Sequence, residues 1–256
     1  MEILHSQILG QGQPLIILHG FLGMSDNWKS LGAQYAAENL QAHLIDQRNH
    51  GKSFHSDEFD IQLLAADLAG YMAHHQMEKA IVMGHSLGGK TAMQLACNIP
   101  ELVEKLIVAD IAPKYYPPHL QDILNGLKTL TPEHLESRND ADEQLARHIP
   151  QKAVRQFLLK NLYWKEKGQL GFRFNLQVLS EKMEAIGANI GEDDRYAGPT
   201  LFLKGERSDY ITEADLPEIK RHFPLATVES IGKAGHWLHA ENPESYFERT
   251  MDFIRS

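Results

Sequence analysis

One segment of the chain, Ile81-Val82-Met83-Gly84-His85-Ser86-Leu87-Gly88-Gly89-Lys90-Thr91, satisfies two chemical patterns at once. Gly84-x-Ser86-x-Gly88 has the spacing of a nucleophile elbow, in which a serine on a tight strand-to-helix turn projects its hydroxyl between small residues. Gly84-x-x-x-x-Gly89-Lys90-Thr91 equally fits a phosphate-binding loop, whose backbone amides and lysine cradle phosphates. Leu106-Ile107-Val108-Ala109-Asp110 even supplies the acidic strand that a nucleotide site would use. Both patterns need a strand before the loop and a helix after it, and the flanking residues supply both.

Two outlying segments separate the readings. A serine hydroxyl is a weak nucleophile and needs a base. Gly232-Lys233-Ala234-Gly235-His236-Trp237 offers a late histidine after the last strand-like run, so His236 is the expected base. Leu18-His19-Gly20-Phe21 closes an early aliphatic run, and the amides of Phe21 and Leu87 together would form an oxyanion hole. Each such donor is worth roughly 3–4 kcal/mol in mutational terms. A phosphate loop normally follows the first core strand and has no use for these segments. Acyl transfer by Ser86 is therefore the preferred chemistry; a P-loop ATPase using residues 84–91 is the alternative from another class.

The third member of the triad is open on position alone. Asp209 stands shortly after the strand-like run 200–204, the usual place for the acid, and Asp110 ends the run next to the nucleophile's own. As a structural residue, Asp110 would accept backbone amides at a strand end, and Asp209 would be solvated or cap a helix.

These residues need a scaffold. Strands are expected over 14–19, 42–46, 80–84, 105–110, 200–204 and 226–231, with a further one within 2–9. Several are continuous aliphatic blocks, the pattern of strands buried on both faces of a parallel sheet. Helices fill the gaps: one capped by Ser25 or Asp26 and running to about 39, one over 61–75 capped by Asp60, one from just after Ser86 to near 100, and a last one opened by Asn242-Pro243. Between about 111 and 198 no parallel strand is evident. Amphipathic patterns over 120–130, 132–148 and 151–163 predict a helical insertion there, with further apolar residues around 172–178. The expected architecture is α/β, a doubly wound, mostly parallel sheet with a helical cap inserted between two late core strands. Residues 1–111 and 199–256 would form the core and 112–198 the cap, set over the carboxyl edge of the sheet, where such sheets bind ligands.

Several stretches resemble the α/β-hydrolase superfamily: Leu18-His19-Gly20-Phe21-Leu22-Gly23, Asp46-Gln47-Arg48-Asn49-His50-Gly51-Lys52-Ser53, Gly84-His85-Ser86-Leu87-Gly88-Gly89-Lys90, Asp110-Ile111-Ala112-Pro113 and Gly235-His236-Trp237. The Arg-Asn-His-Gly variant, the Gly-Lys after the elbow, the Asp-Ile-Ala-Pro run and Phe172-Arg173-Phe174-Asn175 narrow the resemblance to YbfF-like bacterial carboxylesterases and related abhydrolase esterases. The resemblance implies a cofactor-free serine esterase acting on short- to medium-chain acyl esters, or on thioesters, and it points to Asp110 as the acid. Other triad chemistry, such as C–C bond hydrolysis or perhydrolysis, is the alternative within the class.

Secondary roles follow from position. His19, His85 and Trp237 are expected at the substrate pocket, with His19 orienting the oxyanion loop. Asp46, Arg48 and His50 form a polar turn that braces neighbouring loops, and Trp28 anchors the first helix. Lys90 would lie under the floor of the site or reach solvent. The cap aromatics Tyr115, Tyr116, Phe157, Tyr163, Trp164 and Phe174 pack within the cap or meet the acyl chain.

Composition bounds the rest. The 256 residues are 43% hydrophobic and 23% charged, ordinary for a globular domain with a sizeable core. Acidic residues outnumber basic ones, 34 to 25, for a net charge of −9, which argues against a nucleic-acid partner. The single cysteine, Cys97, cannot form an internal disulfide. No apolar run is long enough to span a bilayer, and the acidic N-terminal start is unlike a secretory signal, so a cytoplasmic protein is expected. The 14 histidines include no His-Glu-x-x-His, so no metal is expected, and the resemblance implies no cofactor. The partner is a small acyl ester or thioester, and an exposed apolar face on the cap would serve a homodimer.

Overall fold

Aliphatic strands with side chains alternating between two faces can be buried only if helices cover both. The computed structural model, which describes residues 2–118, 120–130, 135, 137–167 and 169–256, has this arrangement. Strands β1 (Ser6–Leu9), β2 (Gln13–Leu18), β3 (Leu40–Ile45), β4 (Ala80–His85), β5 (Val103–Ala109), β8 (Thr200–Gly205) and β9 (Ala226–Ile231) form one sheet in the order β1-β3-β2-β4-β5-β8-β9. All neighbours run parallel except β1, which is antiparallel to β3 at one edge. The expected strands thus all form, within one or two residues at most ends.

Ile16, Leu18, Val82, Val108 and Phe202 point to one face, where α2 (Ile61–His74), α3 (Leu87–Asn98) and α9 (Leu216–His222) cover them. Leu15, Ile17, Ile81, Met83 and Leu203 point to the other, against α1 (Lys29–Ala37) and α11 (Pro243–Arg255). A short helix, α10 (Leu238–Glu241), precedes α11. Asp60 caps α2 by accepting from Leu63 N at 2.7 Å, and Asn242 caps α11 by accepting from Ser245 N. The first helix differs from expectation. A 3-10 turn over Ser25–Trp28 precedes α1, and Ser25 N at its start donates to Asp46 Oδ1 at 2.6 Å.

After β2 the chain adds β3 on one side and β4 on the other. At such a reversal the loops leaving the two strands diverge and open a crevice at their carboxyl ends. Leu18 pairs with Gly84, so the loop beginning at His19 lies beside the loop carrying Ser86.

Between β5 and β8 lie α4 (Gln121–Thr129), α5 (Arg138–Leu145), α6 (Lys152–Leu159), the antiparallel hairpin β6 (Leu162–Glu166) and β7 (Gln169–Phe172), α7 (Leu176–Glu181) and α8 (Met183–Gly187). Their apolar faces form a separate cluster that takes in Leu22, Phe59, Leu64 and Leu87 from the sheet's side. The helix expected over 132–148 is described from Arg138 onward; residues 131–134 and 136 lie outside the described residues. The helix expected over 151–163 stops at Leu159. The Asn161 side chain donates to the carbonyls of Leu158 and Leu22, which ends the helix, and the aromatics that follow enter the hairpin.

Candidate active site

Ser86 sits between β4 and α3 with φ 52° and ψ −116°, a conformation that a non-glycine residue adopts only under constraint. The flanking glycines are a steric requirement. A Cβ on Gly84 would come within 2.1 Å of Gly88 O, and one on Gly88 within 2.5 Å of Leu18 O. Backbone therefore packs so closely on this turn that neither glycine can carry a side chain. Thr91 is bound to Gln47 and to Leu87 O, and Lys90 is buried on two backbone carbonyls, so neither side chain is arranged for a nucleotide. Leu87 is the first residue of α3, where a helix leaves its amides without internal acceptors.

Asp110 follows β5 and is wholly buried. Its Oδ1 accepts from Gly205 N at 2.9 Å, and its Oδ2 accepts from His236 Nδ1 at 2.8 Å and from the Ser208 hydroxyl. With Nδ1 donating, His236 keeps Nε2 as its basic nitrogen. Asp209 is exposed on the loop after β8. Of the two acids considered, Asp110 is therefore the one placed on the histidine.

The loop after β2 is held from several sides. His19 donates from Nδ1 to Gly20 O at 2.8 Å and accepts from Gln47 N on Nε2. His50 donates to Arg48 O and accepts from Leu22 N at 3.2 Å. Arg48 makes a two-pronged ion pair with Asp67, and Asp46 binds the amides of Ser25 and Lys52. Burial pushes His19 down to about 4 and His50 to about 3, so both rings are neutral props near pH 7.

Ser86 and His236 line one cleft, together with Phe21, His19, His85, Trp237, Tyr210, Trp28 and His239. From the segment between β5 and β8 come Leu120, Ile123, Val154, Phe157 and Leu158. A second lobe also reaches Ser86, Phe21, Leu120 and Tyr210, and is closed by Leu87, Lys90, Ile111, Tyr116, Met183 and Ile186. The two enclose about 610 and 440 Å³, mouths included. His85 Nε2 donates to His236 O at 2.8 Å, which fixes the backbone of the histidine loop. Burial, more than the neighbouring His239 and His236, holds His85 well below its ordinary value, and burial pushes His239 to about 3. Among the described residues, no group of three or more His, Cys, Asp or Glu side chains is arranged to hold a metal ion, and no helix is long and apolar enough to cross a membrane.

Not every residue singled out in the sequence reaches the cleft. Phe157 does, packed on Trp237 with ring centroids 5.6 Å apart, and Tyr116 reaches the second lobe. Tyr115 and Trp164 are exposed, Tyr163 carries Arg173 over its ring, and Phe174 packs on Phe172. Trp28 anchors the core and also stacks on His239 at 4.2 Å. Ser208, Tyr210 and His239 escape sequence reasoning. Tyr210 stacks on the His236 ring at 3.8 Å, and burial followed by the charge of Asp110 raises its hydroxyl to about 12. The only hint of these residues in the sequence is their closeness to Asp209 and His236.

Comparison with known proteins gives the family. A family model described as the alpha/beta hydrolase fold matches residues 13–128. The chain is 37% identical over 253 residues to the sn-1-specific diacylglycerol lipase ABHD11 of Danio rerio, covering 96% of this chain and 80% of that protein. It is 30% identical over 244 residues to esterase YbfF of Escherichia coli (strain K12), covering 94% and 92%. A solved marine microorganism esterase superposes with a TM-score of 0.96 at 41% identity, covering 99% of this chain and all of that one.

Proposed function

The chain belongs to the α/β-hydrolase family, as an esterase- or lipase-type serine hydrolase, and from that premise we propose that it hydrolyses short- to medium-chain acyl esters through an acyl-enzyme on Ser86. One observation carries the reading. His236, held through Nδ1 by the buried Asp110, lines the same cleft as a serine fixed on a strained elbow.

In this mechanism His236 Nε2 removes the Ser86 proton as Oγ bonds to the acyl carbonyl carbon. Negative charge moves to the carbonyl oxygen, where the amides of Phe21 and Leu87 receive it. The C–O bond to the alcohol then breaks, and the imidazolium returns its proton to the leaving oxygen. Water, deprotonated by the same nitrogen, attacks the acyl-serine; the bond from the acyl carbon to Ser86 Oγ breaks, the imidazolium returns its proton to Oγ, and the acid leaves. Asp110 keeps the ring in the tautomer that presents Nε2 and stabilises the imidazolium. Residues 112–198 act as a cap, supplying apolar side chains from α4 and α6 to the cleft. A thioester presents the same carbonyl and would follow the same steps.

The test is hydrolysis of p-nitrophenyl butyrate by the wild type and by Ser86→Ala, alongside labelling with a fluorophosphonate. Turnover and labelling that both vanish in the variant are expected. Equal rates in the two proteins would remove Ser86 as the nucleophile.

A further inference from the structure

Lys90 lies one helical turn beyond Ser86 on α3 and takes no part in the acyl transfer proposed above. Its side chain is almost wholly buried, a rare position for lysine. Its Nζ donates at 2.5 Å to two backbone carbonyls, those of Lys114 and Ala188. Lys114 belongs to the stretch leading from β5 into the inserted segment, and Ala188 to the stretch leading back out. The two stretches also bind each other: Tyr116 N donates to Gly187 O at 2.8 Å, and Ile190 N to Pro113 O at 3.1 Å. The Tyr116 ring lies 5.1 Å beneath the Lys90 nitrogen. Its hydroxyl accepts from Ala112 N and donates to Tyr210 O, and Tyr210 is the ring stacked on His236.

We infer that Lys90 is a positioning residue that clamps both connections of the inserted segment onto the nucleophile helix, setting the second lobe of the cleft and the seat of Tyr210 on His236. The catalytic consequence rests on the acyl-transfer reading of Ser86; the clamp does not. Hydrogen bonds from an ammonium are stronger than those from a neutral donor, and a buried carbonyl stripped of its donor is costly. One side chain thus joins two connections that also meet through backbone bonds and through the Tyr115–Glu184 hydrogen bond.

The clamp is built to respond to pH. Burial pushes Lys90 down to about 7; Glu218 works against the shift and Lys114 adds to it. The groups around it are Lys114, itself paired with Asp215 at 2.8 Å, Glu218, and the hydroxyls of Tyr116 and Tyr210. Below about 7 the ammonium is present, with charge-assisted bonds to both carbonyls and a cation over Tyr116. Above that value the amine is neutral and the closed segment no longer carries the cost of a buried charge, whereas on opening Lys90 returns to water and takes up a proton, so the closed arrangement gains as pH rises.

Amide hydrogen exchange of the full chain, read residue by residue, tests the inference without reference to activity. In Lys90→Met, Tyr116 and Ile190 should lose at least about tenfold in protection while α2 keeps its own. In the wild type, protection of these two amides should rise as pH rises from 6 to 8, after correction for intrinsic exchange, because Lys90 released into water on opening takes up the proton that its buried form gives up near 7. Lys90→Arg, which stays charged, should abolish that trend and serves if the methionine variant fails to fold. Unchanged protection in Lys90→Met, or the same pH trend in Lys90→Arg, overturns the clamp. In the kinetic arm, Lys90→Met should lose about tenfold more kcat/KM on an ester that fills the second lobe than on p-nitrophenyl acetate. Absence of turnover by the wild type would refute the Ser86 reading and leave the exchange result standing.

Discussion

The Nδ1 of His236 donates to Oδ2 of Asp110 over 2.8 Å, joining residues 126 positions apart in the chain. The contact exists because β5 and β8 are neighbours in the sheet, so the strand end bearing Asp110 faces the loop after β8 and the histidine loop after β9. Gly205 N and the Ser208 hydroxyl occupy further lone pairs of the same carboxylate. A buried carboxylate so supplied has little freedom to turn, and it fixes the imidazole in turn.

Asp110→Asn should therefore lower kcat by roughly a thousandfold or more, since an amide NH2 turned to His236 favours the wrong tautomer. Asp209→Asn, at an exposed position, should change kcat by no more than about twofold. Steady-state kinetics on one ester decide between them. A large loss confined to Asp209→Asn would move the acid to the loop after β8.

Ser208 binds Asp110 on the oxygen that also accepts from His236. Ser208→Ala leaves the carboxylate one donor short, and the loss of a hydrogen bond to a charged group predicts a fall of about tenfold in kcat with KM little changed. The same measurement on Ser208→Thr, which keeps the hydroxyl, should recover most of the rate. An alanine variant with wild-type kcat would make Ser208 a loop-packing residue only.

How far the sequence could lead is visible at these residues. Ser86 is legible because strand, Gly-x-Ser-x-Gly and helix follow one another locally, and the close approach of Gly84 to Gly88 leaves little freedom in the motif. His236 is legible because it comes after the last aliphatic strand. The choice between Asp110 and Asp209 is not a local matter. Both stand near the carboxyl ends of adjacent strands, and only the sheet order places one of them on the histidine; family resemblance, not spacing, points to Asp110. Ser208 and Tyr210 are single residues in a loop with no repeating pattern, so nothing in the chain marks them before β8 is set beside β5. The hairpin β6–β7 is hidden for another reason: the amphipathic pattern over 151–163 runs past Asn161 into the first strand, and the bonds of the Asn161 side chain to Leu158 and Leu22, where the helix stops, have no signature in the sequence.

The neutral histidines make the fold sensitive to acid. His19 is held at about 4, and His50 and His239 at about 3, against 6.5 in an unfolded chain. Between these limits the unfolded state binds more protons than the folded one, so stability is lost as pH falls from 6.5 toward 4. Each imidazole contributes a slope of up to about 1.4 kcal/mol per pH unit in that window. Calorimetry should show Tm dropping below pH 6, with uptake of more than one proton on unfolding at pH 5.5. A Tm unchanged between pH 7 and 5 would contradict neutral burial of these rings.

The two lobes that meet at Ser86 should each take one side of the ester. Phe157 and Trp237 pack together on the wall of the larger lobe, whereas Met183 and Ile186 close the smaller one. Removing a ring from the larger wall opens space that only a bulkier group can fill, so Phe157→Ala should favour larger groups on one side of the ester by roughly tenfold in kcat/KM. Met183→Ala should do the same for the other side. Two substrate series separate the effects, one lengthening the acyl chain on a fixed alcohol and one enlarging the alcohol on a fixed acyl group. Each variant should respond to one series, and whichever responds to acyl length identifies the acyl lobe. If both variants respond to the same series, the lobes belong to a single binding space and the division at Ser86 has no bearing on specificity.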